Sequence, residues 1–204
     1  MGDMTEILLT NIQNTSLIEV IAVIFGLLSV WYARKEKILV FPTGIISVLL
    51  YVYICLQYGL YADMGINAFY FAMSVFGWYN WTHQDGDTKK REISKISSKM
   101  KIVLLLLFIL FFVVIRFVLI NYTDSVVPNI DSLNTAIFLI AMWLMALKKL
   151  ENWVLWIIGD LISIPLYIYK GLVLTSFQYL VFLILAIMGY ITWLKIIKQE
   201  KSEL

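Results

Sequence analysis

The densest set of groups able to hold a ligand lies in one apolar stretch. It reads Asn152-Trp153-Val154-Leu155-Trp156-Ile157-Ile158-Gly159-Asp160 and runs on to Ser163, Pro165 and Tyr167. Trp153, Trp156, Asp160, Ser163 and Tyr167 recur at intervals of three and four, which places them along one stripe of a helix, with Asn152 one turn below Trp156. A second stripe holds Asn67, Tyr70, Ser74, Trp78 and Trp81, with Gly77 permitting close packing, and a third holds Thr175, Gln178, Tyr179 and Phe182. These residue types bind; they do not break bonds. Indole and phenol rings offer a π-face to a cation, and amides offer both donors and acceptors. No Ser–His–Asp set, phosphate loop or HExxH motif occurs. A single histidine, His83, and a single cysteine, Cys55, exclude an intramolecular disulfide and argue against a transition-metal site, so no cofactor is implied.

Each group also has a plain structural reading. Asp160 falls about half-way through its stretch, where a carboxylate costs roughly 2.5–3.5 kcal/mol on insertion scales. Either a neighbouring hydroxyl satisfies it, or it belongs to a wet polar site. The amides Asn67, Gln178 and Asn152 either glue helices together or contact a ligand. Trp81 and Trp193 fall near the inner membrane interface, where aromatic belts are usual, and are expected to be anchors. Pro42 and Pro165 interrupt two stretches, as hinges or as static kinks. His83 reads as a solvated loop residue.

The elements that position these stripes are dictated by composition. The chain has 204 residues, of which 61% are hydrophobic and 15% charged; soluble domains are about 45–50% apolar and about 25% charged. A soluble fold of this size has no interior large enough for that apolar load, and a net charge of +2 gives no sign of a nucleic-acid partner. The solvent is a lipid bilayer. A membrane-crossing helix needs about 20 mostly apolar residues, and seven stretches qualify: 17–33, 38–57, 62–82, 101–120, 130–147, 152–169 and 173–194. The first is not expected to be a signal peptide, because Asp3 and Glu6 stand where basic residues would be and no small-residue cleavage site follows. With the N-terminus outside, the inner side holds Arg34, Lys35, Lys37, Lys89, Lys90, Arg91, Lys95, Lys99, Lys101, Lys148, Lys149, Lys195, Lys198 and Lys201, which is 14 of the 16 basic residues. The run Lys89, Lys90, Arg91 reads as a topology signal that also touches anionic lipid. Lys170 faces outward, Arg116 lies near the outer end of the fourth span, and the outer loops carry Asp3, Glu6, Asp63, Asp124 and Asp131.

The chain repeats itself at an offset of 112 residues without a gap. Trp31 falls on Trp143, Lys37 on Lys149, Gly59-Leu60 on Gly171-Leu172, Gly77 on Gly189 and Trp81 on Trp193. The unit is three helices, and the fourth span restores the orientation for the second copy. An all-α membrane fold of seven helices in a 3+1+3 parallel repeat follows, as in the SWEET sugar transporters, with a substrate site near mid-membrane between the repeats. The expected divisions are 1–84 for the first repeat, 85–128 for a cytoplasmic loop and the fourth helix, and 129–204 for the second repeat and a cytoplasmic tail. Seven helices with an outside N-terminus also describe a receptor, but a receptor has no reason to be duplicated. An intramembrane enzyme would need paired catalytic groups.

Tyr58-Gly59-Leu60-Tyr61-Ala62-Asp63, Asn67-Ala68-Phe69-Tyr70 and Gly77-Trp78-Tyr79-Asn80-Trp81, together with Glu151-Asn152-Trp153-Val154-Leu155-Trp156, Lys170-Gly171-Leu172-Val173-Leu174-Thr175 and the closing Gly189 and Trp193, resemble the PnuC-type vitamin transporters over nearly the whole chain. Asn152, Trp153 and Trp156 match the family's W-x-N-W-x-x-W, with Leu150 in place of the leading Trp; Asn67 and Tyr70 match its N-x-x-Y. The resemblance implies a homotrimer in the bacterial inner membrane that imports nicotinamide riboside by facilitated diffusion, with phosphorylation trapping the cargo inside. Thiamine is the alternative cargo.

The chemistry of the cargo fits the stripes. Nicotinamide riboside is a pyridinium cation with a ribose and a carboxamide. Trp153, Trp156 and Tyr70 could face the cation, Asn152, Asn67 and Gln178 could meet the hydroxyls or amide, Asp160 adds charge if ionised, and Tyr179 and Ser163 are further candidates to line the site. No Lys or Arg lies at mid-membrane to pair with a phosphate. A monovalent cation gains about 2.3 kcal/mol per 100 mV on entering a negative-inside cell, enough for roughly 50-fold accumulation without a coupling ion.

Overall fold

The computed structural model describes residues 16–83 and 92–202. Asp3, Glu6 and the run Lys89, Lys90, Arg91 lie outside the described residues, as does the side chain of Lys201. Seven helices are present among them: α1 (Leu17–Arg34), α2 (Val40–Gln57), α3 (Tyr61–Thr82), α4 (Ser98–Tyr122), α5 (Pro128–Ala146), α6 (Asn152–Tyr169) and α7 (Val173–Ser202). Six are long and apolar enough to cross a membrane. The exception is α3, whose load of Asp63, Asn67, Ser74 and Asn80 dilutes its apolar content.

The ends of these helices follow from local chemistry. Ser16 and Glu19 close a capping box on α1: the Glu19 N–H donates to Ser16 Oγ at 3.2 Å, and the Ser16 N–H donates to Glu19 Oε2 at 2.7 Å. Ser97 accepts from the Met100 N–H to cap α4, and Pro128 opens α5, where its missing N–H costs nothing. Pro42 does not interrupt a helix as expected from sequence. It sits in the first turn of α2, where proline is tolerated for the same reason. Pro165 lies inside α6, which continues through it.

Four turns end in left-handed backbone, and they form two pairs at the 112-residue offset. Glu36 and Lys148 have φ of 56° and 57°; Gly59 and Gly171 have φ of 69° and 74°. The closing hydrogen bonds pair in the same way. The Leu60 N–H donates to Cys55 O and the Leu172 N–H to Tyr167 O, both at 2.8 Å, while the Lys37 N–H donates to Tyr32 O and the Lys149 N–H to Leu144 O at 3.0 and 2.9 Å.

Six helices close a ring: α1 packs on α2, α2 on α3, α3 on α5, α5 on α6, α6 on α7, and α7 back on α1. Helix α4 stands outside and packs on α5. The apolar core fills the end of the ring that carries Glu36 and Lys148. There Trp81 and Trp193 are 4% and 0% exposed, with ring centroids 5.9 Å apart. Their indole N–H groups donate to Met145 O and Ala33 O, two carbonyls that are again 112 residues apart. The reading of these tryptophans as interfacial anchors is therefore overturned. Depth along the membrane fixes neither which way an indole turns nor what it bonds, and here both turn inward to satisfy helix-terminal carbonyls. Gly77 and Gly189 make room for this packing. A Cβ at Gly77 would lie within 3 Å of the Phe41 ring, and one at Gly189 within 3 Å of the Trp153 ring.

The connector at residues 92–97 straps across the same end. Ile93 is buried in the core among Trp81, Trp193 and Leu150. The Ser94 N–H donates to Lys148 O at 3.2 Å, Ser94 O accepts from the Leu150 N–H at 2.9 Å, and Lys149 Nζ donates to Ser94 Oγ at 2.7 Å. The Ile96 N–H donates to Glu151 Oε2 at 3.1 Å.

Candidate functional site

The helix ring encloses a cavity of about 540 Å³, within the size range of small-molecule sites. Seven of the nine residues singled out in the sequence are on its wall: Asn67 and Tyr70 from α3, Trp153, Trp156 and Asp160 from α6, and Gln178 and Tyr179 from α7. Asn152 and Ser163 are not. Both are fully buried. Asn152 Nδ2 donates to Lys149 O at 2.5 Å, tying the start of α6 to the turn before it. Ser163 Oγ accepts from Asn134 Nδ2 at 2.7 Å. Helical periodicity gave these two residues the right stripe but not the partner: Asn152 turns to the backbone before α6 and Ser163 to α5, while Trp153, Trp156, Asp160 and Tyr167 face the hollow.

Asn134 and Phe138 of α5 are wall residues that sequence reasoning missed. The signal was an amide inside an apolar span, the same signal that marked Asn67. Asp63 was read only as an outer-loop acid, yet it lines the cavity from the first turn of α3.

Four buried polar atoms on this wall have no hydrogen-bond partner in the protein: Asn134 Oδ1, Trp153 Nε1, Trp156 Nε1 and Asp160 Oδ2. Each such group costs about 1–3 kcal/mol when left unmet. These atoms of wall residues are thus unmet within the protein itself. Ser163 contributes indirectly, because by accepting from the Asn134 amide nitrogen it leaves the amide oxygen free.

An aromatic ladder runs along the same wall. Tyr167 stacks on Tyr179 at 5.1 Å with 16° between the rings, Tyr179 on Phe138 at 5.9 Å with 7°, and Phe138 packs on Trp156 at 5.2 Å with 31°. Among the described wall residues the acids are Asp63 and Asp160, and there is no Lys or Arg. Basic residues lie at the ends of the bundle: Lys148 pairs with Glu36 at one, and Lys170 with Asp131 at 2.6 Å at the other. Among the described residues no three His, Cys, Asp or Glu side chains are grouped to hold a metal ion.

Five pairs of wall residues differ in the same sense between the halves. At the 112-residue offset, Ala22 corresponds to Asn134, Gly26 to Phe138, Gly44 to Trp156, Val48 to Asp160 and Cys55 to Tyr167, and all ten residues line the cavity. At these five pairs α1 and α2 supply the small side chains and α5 and α6 the larger or more polar ones, while Asp63, Asn67 and Tyr70 of α3 add polar groups from the first half.

Residues 16–195 match the family described as nicotinamide mononucleotide transporter. The chain is similar to the nicotinamide riboside transporter PnuC of Escherichia coli, with 26% identity over 93% of this chain and 90% of that one. It is also similar to the protein of the same name from Neisseria mucosa, with 25% identity over 90% of this chain and 74% of that one. Among solved structures, it resembles the crystal structure of the vitamin B3 transporter PnuC with a TM-score of 0.71 and 25% identity, over 96% of this chain and 88% of that one.

Proposed function

Because the chain belongs to the nicotinamide mononucleotide transporter family, we propose that this multi-pass membrane transporter carries nicotinamide riboside, the unphosphorylated cation, into the cell by facilitated diffusion. The family's description names a mononucleotide, whereas the similar proteins are named for the riboside. One observation carries the choice between them: the cavity wall holds Asp63 and Asp160 and no basic residue. A phosphate entering that cavity loses its water and meets no cation in exchange. A pyridinium loses less and gains the faces of Trp156 and Tyr179. The ribose hydroxyls and the carboxamide then meet Asn134 Oδ1, Asp160 Oδ2 and the two indole N–H groups, with Asn67, Tyr70 and Gln178 completing the enclosure. In this reading Asn152 and Ser163 support the site and do not touch the cargo.

The architecture belongs to the same proposal. We read the ring as a 3+1+3 parallel, SWEET-like repeat in a homotrimer of the bacterial inner membrane, with the N-terminus outside and the C-terminus in the cytoplasm. The paired turns, the paired indole bonds and the exclusion of α4 from the ring support the repeat. The charge bias of the loops supports the orientation.

Calorimetry on the purified protein tests the cargo. Nicotinamide riboside is expected to bind saturably, and the mononucleotide more weakly by at least about tenfold, equivalent to about 1.4 kcal/mol. Equal or tighter binding of the mononucleotide overturns the assignment, and binding of thiamine alone moves the cargo to that vitamin. Counterflow in proteoliposomes is the transport test; saturable binding without counterflow would make the chain a receptor.

A further inference from the structure

A second hollow lies on the outside of the ring, where α4 leaves a gap against α5 and α6. It measures about 300 Å³ and is walled by Leu104 and Phe108 of α4, Ile140 and Leu144 of α5, and Leu155 of α6. Only its rim, at the Lys148 end of the bundle, is polar, with Lys101 and Glu151 beside Ile96. The Glu151 carboxylate is engaged by the Ile96 N–H. The Lys101 ammonium enters no ion pair among the described residues, and exposed Lys95 and Lys99 stand on the same connector and first turn of α4. This is an apolar slot that opens at the membrane surface on a rim where Lys95, Lys99 and Lys101 outnumber the carboxylates Glu92 and Glu151.

We propose that the slot seats one acyl chain of an anionic phospholipid, with its phosphate held by Lys101 and Lys99. The apolar walls suit any lipid tail, so the choice of lipid rests on the headgroup. Clefts between transmembrane helices that end in basic residues on the cytoplasmic side select anionic headgroups, and the loop charges put this rim on the cytoplasmic side. The tail fills a place the protein leaves open. Helix α4 packs chiefly on α5, so a chain lying between Phe108 and Leu155 fills the space left between α4 and α6. Glu151 places the headgroup to one side, because a phosphate beside that carboxylate would be repelled while one beside Lys101 and Lys99 would not.

Native mass spectrometry of the full chain in detergent, titrated with phosphatidylglycerol or phosphatidylcholine of matched tails, tests this independently of the membrane orientation. One phosphatidylglycerol per chain is expected to be retained, in preference to phosphatidylcholine. Lys101→Ala is expected to weaken it about fivefold and Lys99→Ala with Lys101→Ala about 25-fold, from the contribution of one basic residue near an anionic headgroup. Leu104→Trp, which fills the slot, removes the lipid and leaves riboside binding in the ring unchanged. Should Leu104→Trp fail to fold, the lysine variants, which lie on the surface, still decide. Equal retention of the two lipids, or unchanged retention in the double lysine variant, overturns the proposal. So does disulfide formation between Leu105→Cys in neighbouring copies, which would show that a second chain covers the slot. Loss of riboside binding in wild-type protein that still holds the lipid would count against the cavity assignment and not against this one.

Discussion

Glu36 and Lys148 occupy corresponding turns of the two halves, hold the same left-handed backbone, and are ion-paired to each other at 2.5 Å. Left-handed backbone costs a residue with a Cβ about 1–2 kcal/mol, and glycine occupies the other two such turns. The Lys148 side chain is 3% exposed and that of Glu36 25% exposed. The ammonium also lies 4.9 Å from the centre of the Trp81 ring. The pair therefore offsets the strain of two turns and joins the halves at the end where the core lies.

Removing the Glu36 carboxylate leaves the Lys148 ammonium buried. Glu36→Gln is expected to destabilise the protein by about 3 kcal/mol, the low end for breaking a buried pair. Glu36→Gly together with Lys148→Gly removes the charge and the backbone strain at once and is expected to be less damaging. Thermal unfolding in detergent compares them. A double variant less stable than Glu36→Gln would mean that the Lys148 side chain contributes beyond this pair, as through its approach to Trp81.

On the cavity wall, Trp156→Ala and Asp160→Asn are each expected to weaken riboside binding by about tenfold or more, or about 1.4 kcal/mol. Neither residue has a hydrogen-bonding role elsewhere that the fold depends on, since Trp156 Nε1 and Asp160 Oδ2 are both unpartnered. Circular dichroism should stay unchanged while calorimetry shows the loss. Unaltered affinity in both variants would remove α6 from the site.

Close approach at the two glycines sets a third expectation. Gly77→Ala and Gly189→Ala force a methyl group to within 3 Å of the Phe41 and Trp153 rings, an overpacking that costs about 1–3 kcal/mol. Trp153→Phe, which shortens the obstructing ring, should recover part of the stability lost in Gly189→Ala and none of that lost in Gly77→Ala. A melting-temperature comparison of the four variants reads this directly.

Cys55 is the chain's single cysteine and lines the cavity from the first half. A small cationic methanethiosulfonate is expected to modify it, and saturating nicotinamide riboside to slow that reaction several-fold. The mononucleotide at the same concentration should not protect. Equal protection by both, followed by mass spectrometry of the intact chain, would show that phosphate is admitted.

What could be read from the sequence had one cause, and what could not had another. Helix extents came through because a bilayer sets a length of about 20 residues. The stretches at 152–169 and 173–194 begin where α6 and α7 begin, and even α3, diluted by Asp63 and Asn67, was recognisable from its stripe. The stripes brought Trp156, Asp160, Tyr70 and Tyr179 to one hollow because a 3.6-residue period assigns a face. A period assigns no partner, so Ser163 was taken with its stripe although it turns to Asn134. Trp81 and Trp193 were misjudged for a related reason: position along the bilayer does not say whether a ring turns to lipid or to a carbonyl. The strap through Ile93 has no periodicity to announce it, only two isoleucines among polar and charged residues, and the burial of Ile93 depends on Trp81 and Trp193.

Ala22 against Asn134, Gly26 against Phe138 and Gly44 against Trp156 set a plain face on α1 and α2 opposite an inscribed one on α5 and α6, on a common frame. Recognition can then be rewritten without redrawing the scaffold. A chimera that keeps residues 1–128 and takes its remaining helices from a relative of different cargo is expected to shift selectivity further than the reciprocal exchange, which replaces only the α3 groups Asp63, Asn67 and Tyr70 and the room beside them.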